Sequence, residues 1–460
     1  MKKFVVWTSI TAGVLICLAA VAGLAFWSIS GFAGSSADAE RQYTEWKKNG
    51  LPTVVGEVDQ RNVPDDQNAY PLLMEIARDA DGSVRKSIQV PIDVYTEESW
   101  KEGRTTLYLK AYQTEMDQVA LAVDKPFYDA KRDWDRGFSL VYPEFALSKS
   151  WVKLLCLDAR CRSRSGDADG AIQRLEAARK LGALTSQDPT LISLLVGVAV
   201  EAITLRAAGP VASDLAEDPS ALKALQKMLK QTEWSPNFAR TFRVEAYVEL
   251  ATMRNLSAKD IYNQYRWKDY INLPESQYKI KDGLPTNPPA KAVAAESMRF
   301  WNEFTPRIVS GESDIKLARD MDSGGATYTG DFNIPKSLAL TNQPVYAPTF
   351  EARDKMLTER MTLNSFIAVL IYRNEHNRWP ANVVSAGLTP AETTDLAVKA
   401  PLGYRASGKE VRVWHVDRDR VDNGGRTPQE ASAAKATGFD AVYMHPWPRA
   451  FRKPGAVPGR

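Results

Sequence analysis

A short acidic loop near the C-terminus carries the side chains best suited to bind a metal ion. Its oxygen ligands are Asp417, Asp419, Asp422 and Asn423, and Gly424 and Gly425 follow them. Calcium binds hard oxygen ligands that lie close together in a flexible loop. The sequence therefore predicts calcium as the candidate cofactor, with these four side chains as its ligands.

A second interpretation of this loop stays open. Arg418 and Arg420 alternate with the aspartates, and their guanidinium groups can neutralise the carboxylates in a polar turn without any metal. The loop also lacks the glutamate that ends the EF-hand calcium-binding pattern. The sequence alone does not decide between a calcium site and an ion-paired turn.

Catalytic signatures are sparse in this chain. It has only three histidines, His376, His415 and His445, and none belongs to a zinc-binding H-E-x-x-H motif. The stretch Asp322-Ser323-Gly324-Gly325 matches part of a serine-protease motif but lacks the glycine that precedes it. No catalytic residue is predicted. An enzyme whose site joins residues far apart in sequence, such as an envelope hydrolase, remains the alternative.

The first apolar stretch sets the predicted compartment. Residues Phe4 to Trp27 contain no charge, and a helix of this length, about 36 Å, crosses a bilayer. Lys2 and Lys3 precede it and the next charge is Asp38, so the positive-inside rule leaves the N-terminus in the cytoplasm. The charge-free run and its flanking charges predict a single-pass inner-membrane protein with most of its residues in the periplasm. Cleavage as a signal peptide is the alternative.

The composition of the chain limits the classes of partner that it is expected to bind. The chain has 460 residues, 44% hydrophobic and 25% charged, which is typical of a globular protein, and a net charge of +3. No basic field is present to attract nucleic acid. The predicted partners are the membrane and envelope or secretion-type proteins.

Apolar residues at helical spacing dominate the middle of the chain. Helices are predicted at Phe145–Cys161 and Ala168–Leu181, joined by a Ser165-Gly166-Asp167 turn. This hairpin is similar to one tetratricopeptide unit, with no second copy at that period. The apolar run at 189–208 contains Glu201 and Arg206, which favour a core helix over a second membrane span.

The C-terminal quarter has a different pattern. A long helix is predicted at Thr349–Asn377, and it ends in a turn that reads HNRWP. The sequence P-L-G-Y-R, a strand at Val411–Val416 and the acidic loop follow. This order resembles the globular part of the type II secretion major pseudopilins, and a similar tail occurs in bacterial membrane-anchored proteins with helical ectodomains. The resemblance implies a small antiparallel sheet and a loop that can hold calcium.

One departure limits that resemblance. A pseudopilin begins with a processed membrane segment that leads directly into its long helix, whereas the predicted anchor here lies far upstream of Thr349 and lacks that motif. Assembly into a pseudopilus is therefore not implied.

Together these patterns predict a mainly α protein with an N-terminal transmembrane helix, an extracytoplasmic helical domain and a small α+β C-terminal module. The predicted role is binding or scaffolding in the envelope, near a secretion-type system. The predicted boundaries are a cytoplasmic N-terminus at 1–3, the anchor at 4–27, a linker at 28–38, the helical domain at 39–320, a second linker at 321–348, the pseudopilin-like module at 349–445 and a basic tail at 446–460.

Overall fold

The computed structural model describes residues 21, 35–58, 61–78, 102–231, 238–257, 259–261, 280–311, 315–326, 334–341, 346–417 and 419–447. Apart from Val21, the predicted anchor at 4–27 lies outside the described residues. So do most of the predicted linker at 28–38 and the predicted tail from residue 448 onward.

The chain is mainly helical, with small antiparallel sheets near the C-terminus. The helices with described bounds are α1 (Ser35–Lys48), α2 (Ala69–Ile76), α3 (Glu102–Ala111), α4 (Gln113–Ala122), α5 (Glu144–Arg164), α6 (Ala168–Thr185), α7 (Leu191–Asp214), α8 (Pro219–Gln231), α9 (Phe238–Asn255), α10 (Pro288–Val309), α11 (Ile315–Ala326), α12 (Ile334–Thr341), α13 (Ala347–His376) and α14 (Pro428–Ala433).

In the described residues after α13 there are five short strands, with α14 between the last two. They are β1 (Thr394–Asp395), β2 (Ala400–Pro401), β3 (Gly403–Ser407), β4 (Glu410–Val416) and β5 (Asp440–His445). Strands β1 and β2 pair with each other, and β3, β4 and β5 form an antiparallel sheet in that order. A long helix followed by a small antiparallel sheet is the order that the sequence predicts.

The chain divides into two compact units that alternate along the sequence. The first contains residues 1–61, 132–141 and 237–348, and the second contains 62–131, 142–236 and 349–460. In the first unit, aromatic side chains from α9 and α10 meet, with the Phe242 and Trp301 rings 6.3 Å apart. The buried carboxylate of Glu249 accepts a hydrogen bond from the Trp301 indole at 2.8 Å. The domain boundaries given above remain predictions.

The segment predicted as the second linker contains regular structure. Helix α11 continues to Ala326 and α12 covers Ile334–Thr341. Met321, Leu338 and Ala339 are buried. These apolar side chains explain why a stretch rich in glycine and threonine still forms helices, because packing outweighs weak intrinsic propensity.

The second unit is built on α5, α6 and α7, which all contact one another. The predicted hairpin is present. The Asp167 carboxylate caps α6 by accepting a hydrogen bond from the Gly170 amide at 2.9 Å. Apolar residues continue at helical spacing from Thr105 to Val123, but this stretch forms two helices, because Tyr112 leaves the helical region with φ −109° and ψ 9°.

Helix α7 is the apolar helix that could be mistaken for a membrane span. Among the described residues it is the one helix long and apolar enough to cross a bilayer, and 67% of its most apolar window is buried within the protein. Its charged residue Glu201 is paired by Arg179 from α6 and Arg360 from α13. This arrangement agrees with the predicted core helix.

Helix α13 lies against both α7 and the sheet. Arg206 of α7 donates to Glu359 at 3.2 Å, and the Phe366 ring stacks on Tyr443 of β5 with a 6.1 Å centroid separation. The C-terminal helix and sheet therefore share a core with the helical hairpin of the second unit.

Candidate functional site

The acidic loop uses its oxygen atoms largely for hydrogen bonds within the protein. Asp419 accepts from the Val421 amide at 3.1 Å and from the Asn423 side-chain amide at 3.0 Å. These hydrogen bonds, with that from Asn423 first, lower the pKa of Asp419. Asp422 accepts from the Trp414 indole at 2.9 Å and from the Gly424 amide at 2.8 Å.

Two cations at this loop, Lys355 of α13 and Arg420 of the loop itself, form ion pairs with other partners than the sequence pattern predicts. Lys355 forms an ion pair with Asp417. Arg420 reaches Glu351, with its guanidinium nitrogen 3.3 Å from the carboxylate oxygen, so it does not bridge to an aspartate of the loop in the way the ion-paired interpretation requires. Arg418 lies outside the described residues.

Asp440 organises the second half of the loop. It accepts hydrogen bonds from the Asn423 amide at 3.0 Å and the Gly425 amide at 2.9 Å, and burial raises its pKa. In the part of the chain that the structure describes, no three His, Cys, Asp or Glu side chains gather closely enough to hold a metal ion. Calcium bound by Asp417, Asp419, Asp422 and Asn423 stays a prediction.

His415 is buried between β4 and α13 in a defined tautomer. The Thr362 hydroxyl donates its single proton to the Thr358 carbonyl at 2.7 Å. It must therefore accept from Nδ1 of His415, 3.0 Å away. The unprotonated Nε2 is buried and has no hydrogen-bond partner among the described residues. This imidazole is held neutral in the fold.

We expect His415 to make the second unit less stable in acid. Burial lowers the pKa of His415 and Lys355 lowers it further, whereas the nearby carboxylates Glu359, Asp395 and Asp417 oppose the shift. The unfolded state, with a histidine pKa of about 6.5, therefore binds more protons than the folded state below that pH. Stability is fully present above about pH 6.5 and is lost as the pH falls through the lower folded pKa.

The measurement is urea unfolding of the detergent-solubilised full chain at pH 7.5 and at successively lower pH, for the wild type and for His415→Asn. The asparagine amide can replace the Nδ1 donor to Thr362 without titrating. We expect the variant to lose less stability in acid than the wild type. Burial also lowers the pKa of His445, so some acid sensitivity remains until His445 is replaced too. An unchanged pH dependence in His415→Asn contradicts the prediction.

Among the described residues, Ser213 and His445 make a serine–histidine contact that brings distant parts of the second unit together. The Ser213 hydroxyl lies 3.0 Å from Nδ1 of His445. The same Nδ1 lies 3.2 Å from the Ser213 carbonyl, which can only accept, so Nδ1 carries the proton. The Ser213 hydroxyl also accepts from the Trp447 amide at 2.9 Å. A protonated Nδ1 cannot act as a base toward this serine, so the contact fastens the end of β5 to α7.

The protease-like stretch has a structural role. Both carboxylate oxygens of Asp322 accept backbone hydrogen bonds, from Tyr346 and from Ala347, each at 2.8 Å. An acceptor in this position satisfies amides that a helix N-terminus leaves free. The Ser323 hydroxyl donates to the Asp320 carbonyl at 3.0 Å.

A groove in the second unit is the candidate site that sequence reasoning missed. It has a volume of about 620 Å³ and lies between α4 and α6, with Arg162 of α5 at its side. We call it the α4–α6 groove. One wall carries Gln113, Asp117, Leu121 and Asp124, and the other carries Gly170, Gln173, Arg174, Glu176, Ala177 and Lys180.

Ion pairs hold the three cations of the groove in place. Arg174, only 9% exposed, bridges Asp117 and Asp158. Arg162 pairs with Asp158 at 2.9 Å and with Asp167 at 2.7 Å. Lys180 pairs with Asp124 at 2.8 Å and with Glu176 at 3.1 Å.

No family model, curated protein or solved structure matches this chain.

Asp117 and Asp124 are the most exposed charges that line the groove. The side chain of Asp117 is 54% exposed and that of Asp124 is 63% exposed. Burial raises the pKa of Asp117, but hydrogen bonds from Arg174 and Gln113 outweigh it and lower the pKa overall. The lining has three carboxylates and three cations, so the groove offers exposed hydrogen-bond acceptors without an excess of negative charge.

An exposed leucine accompanies these carboxylates. Leu121 is 69% exposed. It lies four residues after Asp117, so the two share one face of α4, and Asp124 follows just beyond the C-terminal end of that helix. An exposed leucine close to two aspartates is the sequence signal that could have pointed to this wall.

Proposed function

We propose that this chain is a single-pass envelope protein that binds a segment of another protein in the α4–α6 groove. The predicted anchor at 4–27 would place the helical units on the periplasmic side. The observation that carries the proposal is the open groove of about 620 Å³ with charged walls that are already paired. Pre-organised walls reduce the entropy lost on binding.

The composition of the groove supports recognition of a polypeptide. The walls combine exposed carboxylates, the amides of Gln113 and Gln173, and the exposed Leu121. Peptide grooves commonly combine polar groups that fix orientation with apolar contact area that supplies affinity. The resemblance of the C-terminal helix and sheet to pseudopilins supports a partner in a secretion-type system.

The test is site-specific cross-linking in native membranes. A photoreactive amino acid replaces Leu121 in the tagged full-length protein, and the products are identified by mass spectrometry. The matched control replaces Leu107, which is 71% exposed on α3 and does not line the groove. We expect position 121 to capture a defined partner protein at high yield and position 107 not to do so.

Two results contradict the proposal. One is the same set of products from both positions, which indicates random collision. The other is no product from position 121 while the protein is correctly anchored, which indicates that the groove has no protein partner in the membrane.

A further inference from the structure

We propose that the free edge of strand β3 accepts an extended acidic segment of a partner protein as a fourth strand of the sheet. The residues of this edge do not line the α4–α6 groove, and the proposal does not depend on the function proposed for that groove. Strand addition to an open sheet edge is a common mode of peptide recognition, in which backbone hydrogen bonds supply affinity and side chains supply specificity.

The backbone of β3 is open on one side. The strand pairs with β4 along one edge, over residues 403–407. In the part of the chain that the structure describes, the peptide groups of these residues form no hydrogen bonds beyond those to β4. Backbone groups of an antiparallel strand alternately face the paired strand and face away from it. Strand β3 therefore offers outward-facing donors and acceptors to a further strand.

Side-chain hydrogen bonds hold this edge in place. The Trp379 indole donates to the Gly408 carbonyl at 2.9 Å, and the Tyr404 hydroxyl donates to the Pro380 carbonyl at 2.8 Å. The turn after α13 is thereby fastened to the β3–β4 hairpin. A strand that is already held in its extended form loses little conformational entropy when a partner binds to it.

Arg405 gives the edge a positive charge that the fold does not neutralise by contact. It is exposed and lies directly opposite Arg412 of β4, and like charges in that position destabilise a sheet. The Glu430 carboxylate accepts hydrogen bonds from Arg412 at 2.7 and 2.8 Å. Arg405 forms no ion pair with any of the described residues. Its guanidinium group is therefore suited to bind a carboxylate of a partner.

The charges along the hairpin have the same sign. The cations of residues 399–412 are Lys399, Arg405, Lys409 and Arg412. Glu410 is the one acidic residue in this stretch of the sequence. Because Glu430 already pairs with Arg412, the stretch keeps a net positive charge, which attracts an acidic segment.

The carboxylates that precede this stretch are engaged elsewhere. Glu392 accepts hydrogen bonds from the Thr389 amide at 2.9 Å and from the Thr389 hydroxyl at 2.8 Å. Asp395 is 2% exposed, and it accepts from the amides of Ala397 at 2.8 Å and Val416 at 3.0 Å. Neither carboxylate pairs with Arg405.

The positive charge also selects among the strands that could pair with this edge. Charged side chains on an edge strand discourage pairing with unrelated strands. A carboxylate directly opposite Arg405 removes that obstacle, because opposite charges on neighbouring strands attract. A second copy of this chain fits less well, since twofold antiparallel pairing centred on Arg405 would place this arginine opposite its own copy.

The experiment measures binding of fluorescent peptides to the detergent-solubilised full chain by anisotropy. The probe is Thr-Val-Glu-Val-Thr between Gly-Ser flanks, and two comparison peptides have Gln or Lys in place of Glu. A further peptide, Thr-Pro-Glu-Pro-Thr, keeps the carboxylate but lacks two backbone donors. We expect the Glu peptide to bind about tenfold more tightly than the Gln peptide, which lacks the charge-assisted contact, and more tightly than the proline peptide. Salt should weaken its binding.

Charge reversal then locates the binding. We expect Arg405→Glu to bind the Lys peptide in preference to the Glu peptide, which reverses the wild-type order. This variant should stay folded, because it places opposite charges at the pair with Arg412, and urea unfolding checks this. The matched control is Lys110→Glu, which reverses an exposed cation on α3. It should keep the wild-type order of affinities.

Four outcomes overturn the proposal. They are equal binding of the Glu and Lys peptides, binding of the proline peptide as tight as that of the probe, an unchanged order of affinities in Arg405→Glu, and no binding at about 1 mM peptide. A chain that is dimeric in detergent and becomes monomeric when the Glu peptide is added would make a second copy the occupant, which also overturns the proposed partner. Leu121→Ser should bind the Glu peptide as the wild type does, so failure of the groove as a binding site leaves this result unchanged.

Discussion

Glu201→Gln should lower the free energy of unfolding by about 3–5 kcal/mol, which is the cost typical of removing one partner from a buried ion pair. Glu201 lies in the apolar helix α7, with its side chain only 3% exposed, and it pairs with Arg179, which is fully buried. Arg360 of α13 also donates to Glu201 at 3.0 Å. Neutralising the carboxylate removes the counter-charge that these two cations share.

The geometry shows how Arg179 is held inside the protein. Arg179 donates to both carboxylate oxygens of Glu201, at 3.0 and 3.2 Å, and a second donor reaches the Met228 carbonyl at 2.5 Å. Burial lowers the pKa of Arg360 and the Arg179 charge lowers it further, while Glu201 raises it. The carboxylate is therefore what makes two buried guanidinium groups tolerable.

Hydrogen exchange and urea unfolding of the full chain measure this effect. Amides of α6 and α7 should exchange faster in Glu201→Gln, because these helices lose their charged link. The matched control is Glu375→Gln, since Glu375 pairs with Lys223 at 2.8 Å but is 45% exposed. It should change stability little. A free energy of unfolding for Glu201→Gln within about 1 kcal/mol of the wild-type value would contradict the prediction. It would show that water or a shifted arginine compensates for the lost negative charge.

A compound variant separates the charge from the packing. Replacing Arg179 and Arg360 with methionine and Glu201 with leucine removes all three charges and keeps most of the volume. Such replacements of buried ion networks are often neutral or stabilising. We expect the triple variant to be more stable than Glu201→Gln, and the reverse order would indicate that shape rather than charge sets the cost.

Sequence patterns within single segments were sufficient to predict several of the helices and one strand. Asp167 caps α6 where a Gly-Asp turn was recognised. The charges Glu201 and Arg206 correctly marked α7 as a core helix, because a buried charge in a soluble core can find a partner. The strand at β4 followed from its β-branched and aromatic residues.

The candidate site was harder, because it depends on which helix faces meet. Asp117 and Arg174 are far apart in sequence, and nothing local to either of them reports their ion pair. The break at Tyr112 sets the direction of α4 and hence the groove wall, yet the surrounding residues continue the helical pattern without a proline or glycine. The acidic loop was visible as a motif, but its use of Trp414 and Asp440 as partners depends on the sheet register.

Arg254→Met should destabilise the first unit by about 1.5–3 kcal/mol, because hydrogen bonds made by a charged group contribute about that much to stability. Arg254 is 1% exposed near the end of α9. Its guanidinium donates to three backbone carbonyls, those of Thr53 at 2.5 Å, Gly283 at 2.7 Å and Lys281 at 3.3 Å. One side chain thereby joins three segments of the chain.

Substitutions at two positions test whether the planar fork of the guanidinium is the cause. Arg254→Lys keeps the charge but offers one compact ammonium, which cannot reach all three carbonyls. We therefore expect its free energy of unfolding to lie between those of the wild type and Arg254→Met. Arg243→Met on the exposed side of the same helix is the matched control and should change stability little. The readout is hydrogen exchange at residues 53, 281 and 283 together with urea unfolding of the full chain. Equal stability of the lysine variant and the wild type would mean that charge, and not the shared carbonyl contacts, holds these segments together.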